Sequence, residues 1–113
     1  VETEFTLNVD AHESTSGLLR AVGEDALQYA MSLILKGTIN SYDFMLMRNK
    51  MPNLHNLDLT ETTIIANPYE FYSGCYTEDN RIPKCAFLNF KKLYSLSNIK
   101  HFPYTFFMIF KIN

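Results

Sequence analysis

The leucine spacing between residues 54 and 64 constrains the fold of this chain more than any other feature. Three leucines stand at offsets 0, 3 and 5, and an isoleucine follows at offset 10: Leu54, Leu57, Leu59 and Ile64. This spacing fits neither the period of a helix nor the simple alternation of a strand. It predicts a short strand on which Leu57 and Leu59 both turn inward, while the residues on either side wrap the chain around the same core.

An earlier copy of this spacing lies 24 residues upstream. Leu33, Leu35 and Thr38 occupy the positions in this copy that correspond to Leu57, Leu59 and Thr62 in the segment 54–64. Leucine-rich repeats recur about every 20 to 29 residues, so the distance of 24 residues between the two segments indicates two such repeats. A third candidate, Phe90-x-x-Leu93-x-x-Leu96-x-x-Ile99, follows after a longer interval and has Asn98 where a second strand leucine is expected. Chance is the alternative explanation, because 47% of the chain is hydrophobic.

Residues 1–30 are predicted to form an amino-terminal cap of a strand and a helix. Three apolar residues alternate with polar ones as in a half-buried strand: Phe5, Leu7 and Val9. A serine or threonine at positions 14–16 is expected to cap the helix, and Gly23 to end it. Three apolar residues are predicted to share one face of that helix: Leu18, Leu19 and Val22. A second helical turn is expected over 25–29.

Residues 31–99 are predicted to hold the repeats. The first repeat strand is expected over 31–36, with Gly37 letting the chain leave it. A helix capped by Ser41 is expected to run through Lys50, and three residues share its apolar face: Phe44, Met47 and Met51. Strands joined by a helical crossover run parallel, so the sequence predicts a small α/β fold with a parallel sheet. Residues 64–71 are expected to be extended, with an interruption at Pro68.

The segment from Ile82 to Leu93 carries a family resemblance. Its pattern Ile-Pro-x-x-Ala-Phe-x-x-x-x-x-Leu resembles the signature of BspA-like leucine-rich repeat proteins, which are surface and secreted proteins of Bacteroides and their relatives. The upstream strands, the helix beginning near Asp43, and the Leu-x-x-Leu-Asp-Leu-Thr run over 54–60 are also similar to that family, so the likeness covers roughly residues 5–97. The resemblance implies a curved solenoid with a parallel sheet and a role in adhesion.

The last residues depart from the family pattern. After Ala86-Phe87 the family usually continues Leu-x-x-Ile-x-Leu-Pro, whereas this chain reaches Phe102-Pro103 with two residues too many. Residues 100–113 form an apolar tail that is expected either to cover the solenoid end, to form a strand-like plug, or to be unrelated sequence. A further alternative is a homodimer through the apolar tail residues Phe106, Phe107, Ile109 and Phe110.

Composition excludes several classes of partner. The net charge of −2 and the absence of any run of lysines or arginines argue against nucleic acid. The longest apolar stretch, 104–110, is too short for a membrane-spanning helix. Because the chain begins at Val1, the lack of a signal segment says nothing about secretion. Cys75 and Cys85 are compatible with either a disulfide or two free thiols. A zinc site would need further ligands, and neither His55 nor His101 has zinc-ligand spacing with respect to these cysteines.

No residue pattern indicates catalysis, a metal site or a cofactor. Glu24 and Asp25 are adjacent, so on a helix they point in different directions and are expected to be surface carboxylates. His12, His55 and His101 lie near no evident nucleophile. We therefore predict a protein that is not an enzyme.

Two groups of residues are candidates for binding. The first comprises outward strand positions, which are predicted to lie side by side on the concave face: Ile34, Lys36, Asp58 and Thr60. Its alternative is a solvated face on which Lys36 and Asp58 pair. The second is an aromatic loop that either binds or packs beneath the repeat: Tyr69, Phe71, Tyr72 and Tyr76.

The sequence thus predicts a noncatalytic, extracellular or cell-surface module of leucine-rich repeat type that binds a protein or a glycan. The first alternative is a structural domain that caps or dimerises and has no ligand of its own. A more remote alternative is a secreted enzyme or inhibitor.

Overall fold

The computed structural model describes residues 1–83, 85–86 and 95–97, the last three by their backbone alone. Strands and helices alternate along most of this part of the chain. In order they are β1 (Glu4–Asp10), α1 (Gly17–Ala21), α2 (Glu24–Leu27), β2 (Ser32–Ile39), α3 (Ser41–Asn49), β3 (Asn56–Ile64), β4 (Asn67–Tyr72), β5 (Cys75–Thr77) and β6 (Ser95–Ser97).

The main sheet is parallel, with strand order β1-β2-β3-β6. Phe5 on β1 lies opposite Leu33 on β2, and Leu33 lies opposite Leu57 on β3. The backbone of Leu96 on β6 continues the same row. Helical crossovers separate the first three strands, which is why they run parallel. The predicted α/β class, the small parallel sheet and the amino-terminal strand and helix are confirmed.

A bulge in β3 changes the register halfway along the sheet. Ile34 lies opposite Asp58, but Lys36 lies opposite Glu61, so β3 carries one more residue than β2 over this interval. The predicted alignment of Thr38 with Thr62 is therefore wrong, because Thr38 lies opposite Thr63. The bulge accounts for the unusual spacing of the sequence motif, since the three-residue step from Leu59 to Thr62 restores the inward orientation after the extra residue.

The core lies between one face of the sheet and the helices. Leu33, Leu35 and Leu59 are fully buried, and Leu57 nearly so. Leu35 and Leu59 thus turn inward from neighbouring strands, as the spacing predicts. The predicted apolar face of α3 is also confirmed, because Phe44, Met47 and Met51 are all buried in this core.

The helix ends differ in detail from those expected. Asn40, and not Ser41, caps α3: its side-chain oxygen accepts a hydrogen bond from the backbone N–H of Tyr42. Ser41 is buried, and its hydroxyl donates to the backbone carbonyl of Asn67. Ser16 caps α1, within the predicted range, by accepting from the N–H of Leu19.

Helix α1 is shorter and less amphipathic than its sequence indicates. Only Leu18 of the three predicted apolar residues is buried; Val22 is half-buried, and Leu19 is exposed. The expectation that all three share one face of the helix is wrong because α1 ends at Ala21, after little more than one turn, and Val22 lies beyond it. Val22 then adopts an extended backbone.

Gly37 lies inside β2, which continues through it to Ile39, so the expectation that the chain leaves the strand here is wrong. Its φ of +114° is a conformation that side chains rarely tolerate. A Cβ at this position would lie 2.0 Å from the carbonyl oxygen of Val9 on β1. Glycine is therefore required here for β1 and β2 to approach each other.

The segment after β3 forms an antiparallel hairpin of β4 and β5. Pro68 lies within β4 and does not interrupt it; the break in the predicted extended segment comes earlier, between β3 and β4. A disulfide joins Cys75 on β5 to Cys85, with the two Cα atoms 6.5 Å apart. This settles the alternative between a bridge and two thiols.

Several predictions concern residues outside the described part of the chain. They include most of the third repeat, the second half of the Ile82–Leu93 signature, and the apolar tail with its dimer contact. Within the described residues, no helix is long and apolar enough to cross a membrane.

Candidate binding surface

The outward face of the parallel sheet is built from alternate positions of the first three strands. Because Phe5, Leu7 and Val9 turn toward the core, the residues between them on β1 turn away from it. The pairing places these outward residues in four rows across the sheet: Glu4–Ser32–Asn56, Thr6–Ile34–Asp58, Asn8–Lys36–Glu61 and Asp10–Thr38–Thr63. None of the described helices packs on this face, and most of its side chains are exposed.

The structure brings three of the four predicted strand residues to neighbouring positions on this face. Ile34 is 37% exposed and lies opposite Asp58. The Asp58 carboxylate accepts a hydrogen bond of 2.9 Å from the backbone N–H of Thr60, which lies in the bulge. Lys36 pairs with Glu61 at 3.8 Å, and not with Asp58 as the alternative proposed. Thr60 is exposed but does not lie opposite Lys36, because the bulge moves it out of that row.

The predicted aromatic loop is the β4–β5 hairpin, and its four residues are placed differently from one another. Phe71 is buried against Phe44, with ring centroids 5.7 Å apart, so its assignment to a binding surface is wrong. Residues four apart on a strand lie on the same face, so Phe71 faces the same side of β4 as Asn67, which is also buried. Tyr76 is 47% exposed.

Tyr69 and Tyr72 are partly exposed, but each has one ring face covered. Tyr69 stacks on Tyr42, with a centroid distance of 4.2 Å and an interplanar angle of 10°. The guanidinium of Arg48 lies over the ring of Tyr72, 4.1 Å from its centroid. Both tyrosines therefore contribute to packing the hairpin against α3, which the alternative of loop packing predicts.

Asp43 is a buried carboxylate, a role that its position near the start of a helix does not predict. One of its oxygens accepts hydrogen bonds from the backbone N–H groups of Gly17 and Asn40, and the other accepts from that of Leu18. It therefore joins the first turn of α1 to the first turn of α3. Burial raises the pKa of Asp43 to about 6, although the three N–H donors act in the opposite direction. The Asn40-x-x-Asp43 capping pattern signals its role in α3, but only the tertiary fold shows its role in α1.

His12 contacts a carboxylate and not a hydroxyl group. His12 lies 3.2 Å from the carboxylate of Asp10, and the hydroxyl of Thr38 donates to the other oxygen of that carboxylate. In a nucleophile–base pair the imidazole contacts the hydroxyl, whereas here both groups contact the carboxylate. Elsewhere on the surface, Glu24 pairs with Lys50 at 3.4 Å. The described residues contain no cluster of three or more metal-ligating side chains.

The sequence matches no protein-family model, and no curated protein matches it either. The likeness to BspA-like proteins therefore depends on the motifs quoted above.

Proposed function

We propose that this chain is a noncatalytic protein-interaction module of leucine-rich repeat type that acts outside the cytoplasm. Its contact surface is the outward face of the parallel sheet, centred on Ile34 and Asp58. In this proposal the strands β2 and β3 belong to successive turns of a short solenoid, and residues 1–30, which include β1, form its amino-terminal cap.

The observation that carries the proposal is the exposure of the outward sheet face, on which no described helix lies. Parallel sheets in most proteins have helices on both faces, so their strands are apolar on both sides. Here the strands alternate between buried and exposed residues, and the described helices pack on one face only. Repeat proteins use such an open sheet as an extended binding surface.

The disulfide supports a location outside the cytoplasm. Disulfides persist in oxidising compartments and are rare where thiols are kept reduced. Cys75 and Cys85 are bridged, and the described residues contain no free cysteine. The resemblance to surface and secreted proteins agrees with this inference.

A binding screen with two matched variants tests the proposal. The oxidised full chain is presented to panels of host matrix proteins and glycans, together with Ile34→Glu and Leu19→Glu. The two replaced side chains are similarly exposed, at 37% and 41%, but Leu19 lies on α1, away from the sheet face. We expect a hit that Ile34→Glu abolishes and Leu19→Glu preserves.

Two results would contradict the proposal. The first is equal loss of binding in both variants, which would place the contact elsewhere. The second is a chain that binds nothing in either panel but shows a concentration-dependent mass in light scattering, which would favour the structural or dimerising alternative. Folding of each variant is checked by circular dichroism and thermal unfolding before the screen.

A further inference from the structure

We infer that the partner of the outward sheet face is an extended protein segment rich in lysine or arginine. This inference rests on the proposed function and specifies the chemistry of its ligand. It comes from the distribution of charge over the face, from the exposed aliphatic group at its centre, and from the spacing of its rows.

The face is rich in negative charge. Its four rows contain four carboxylates and one ammonium group: Glu4, Asp10, Asp58, Glu61 and Lys36. Four acidic and one basic side chain give its twelve positions a net charge of −3. The other described residues have eight acidic and four basic side chains spread over a much larger part of the chain, so the density of negative charge is highest on the face. Such a potential attracts cationic partners and repels nucleic acid.

Two of these carboxylates have no described basic side chain beside them. Glu61 pairs with Lys36, and Asp10 lies beside His12. Neither Glu4 nor Asp58 takes part in an ion pair with any residue that the structure describes. They lie on adjacent rows, on opposite sides of Ile34.

Ile34 gives the face an apolar centre on which the methylene groups of a lysine side chain can pack. Neighbouring strands of a sheet lie about 4.8 Å apart, so a lysine whose methylene chain crosses Ile34 can place its ammonium beside Asp58. A peptide in extended form repeats its side chains every two residues, over about 6.6 Å. Along β1 and β2, successive rows of the face are also two residues apart, so alternate residues of an extended segment match successive rows there.

The test uses two peptides of seven residues with blocked ends, one alternating lysine with serine and one alternating glutamate with serine. Each is titrated into the oxidised full chain, and binding is followed by the backbone amide signals in ¹⁵N NMR. The face variant is Glu4→Gln with Asp58→Asn, which keeps an acceptor for the Thr60 N–H. The control variant is Glu13→Gln with Asp25→Asn, which removes the same charge from exposed positions off the face.

We expect the lysine peptide to shift the amides of Thr6, Ile34 and Asp58, and the glutamate peptide to leave them unchanged. The face variant should raise the Kd for the lysine peptide by about three- to tenfold, and the control variant should not, because each exposed ion pair contributes modestly. Added salt should weaken the binding.

Three results would overturn the inference: no lysine-peptide binding at millimolar concentration, equal binding of the glutamate peptide, or equal weakening by the control variant. If the screen above still yields a hit that Ile34→Glu abolishes, the proposed function stands and only the cationic partner is wrong. If that screen also fails, the proposed function is wrong as well.

Discussion

Replacing Asp43 with asparagine should remove a specific pH dependence from the stability of the protein. Asp43 is fully buried and accepts three backbone N–H hydrogen bonds that hold α1 against α3. Asparagine has nearly the same shape and keeps one acceptor oxygen, but it cannot ionise. At a pH where wild-type Asp43 is protonated, the two proteins therefore resemble each other most closely at this site.

The magnitude follows from the difference between the folded and unfolded pKa values. The pKa of Asp43 is about 6 in the folded protein, against 3.8 for an unperturbed aspartate. A difference of about two pH units corresponds to about 3 kcal/mol, at about 1.4 kcal/mol per unit. Because the folded pKa is the higher one, this stabilisation is fully present below pH 3.8 and is lost as the pH rises through 6. The free energy of unfolding of the wild type, minus that of Asp43→Asn, should thus fall by about 3 kcal/mol.

Urea unfolding of both proteins between about pH 3.5 and about pH 8, a range that spans both pKa values, measures this difference directly. Subtracting the variant cancels the contributions of the other titrating groups. A difference that rises with pH would refute the reasoning, because it would mean that the three N–H donors outweigh burial. If the variant does not fold, the pKa of Asp43 is measured in the wild type by ¹³C NMR of its carboxyl carbon, and a value below 3.8 has the same meaning.

Three further substitutions test the packing. Gly37→Ala should lower the free energy of unfolding by about 2 kcal/mol or more, because the added Cβ meets backbone and the φ is strained; urea unfolding with unchanged stability would contradict this. Replacing Cys75 and Cys85 with serine should cost about 3 kcal/mol in the chain-entropy account, and thiol titration of the denatured wild type should find no free sulfhydryl. Phe71→Ala should cost about 3 to 5 kcal/mol in thermal or urea unfolding, whereas Tyr76→Ala, at an exposed position, should cost less than about 1 kcal/mol.

The sequence predicts the repeating parts of the fold well because most inward positions there, Gly37 and Thr62 excepted, are occupied by large apolar residues. The match between Leu33 and Leu57 predicts which strands are neighbours and in which direction they run. The face of α3 follows from Phe44, Met47 and Met51 in the same way. In these strands and in α3, burial of aliphatic or aromatic side chains determines the structure, and the periodic spacing of those residues makes the structure predictable from the sequence.

Features that depend on single polar groups are harder to predict. The bulge at Thr60 is stabilised by a hydrogen bond from its own N–H to Asp58, and the leucine spacing alone does not distinguish it from a turn. Asn40 and Ser41 are both good caps for α3, and only the position of the β4–β5 hairpin shows that Ser41 is needed elsewhere. For the binding surface, the sequence predicts that Ile34 and Asp58 turn outward, but the partner of Lys36 depends on the bulge.

The bulge in β3 also affects how the outward face can be contacted. An extra residue bends its own strand and increases the local twist. The bend lies on β3 between Asp58 and Glu61, whereas β1 and β2 pair through the same interval without a shift in register. A straight, stiff rod such as a helix, laid along β3, would contact only one side of this bend, whereas a chain that rotates freely at each residue can follow it.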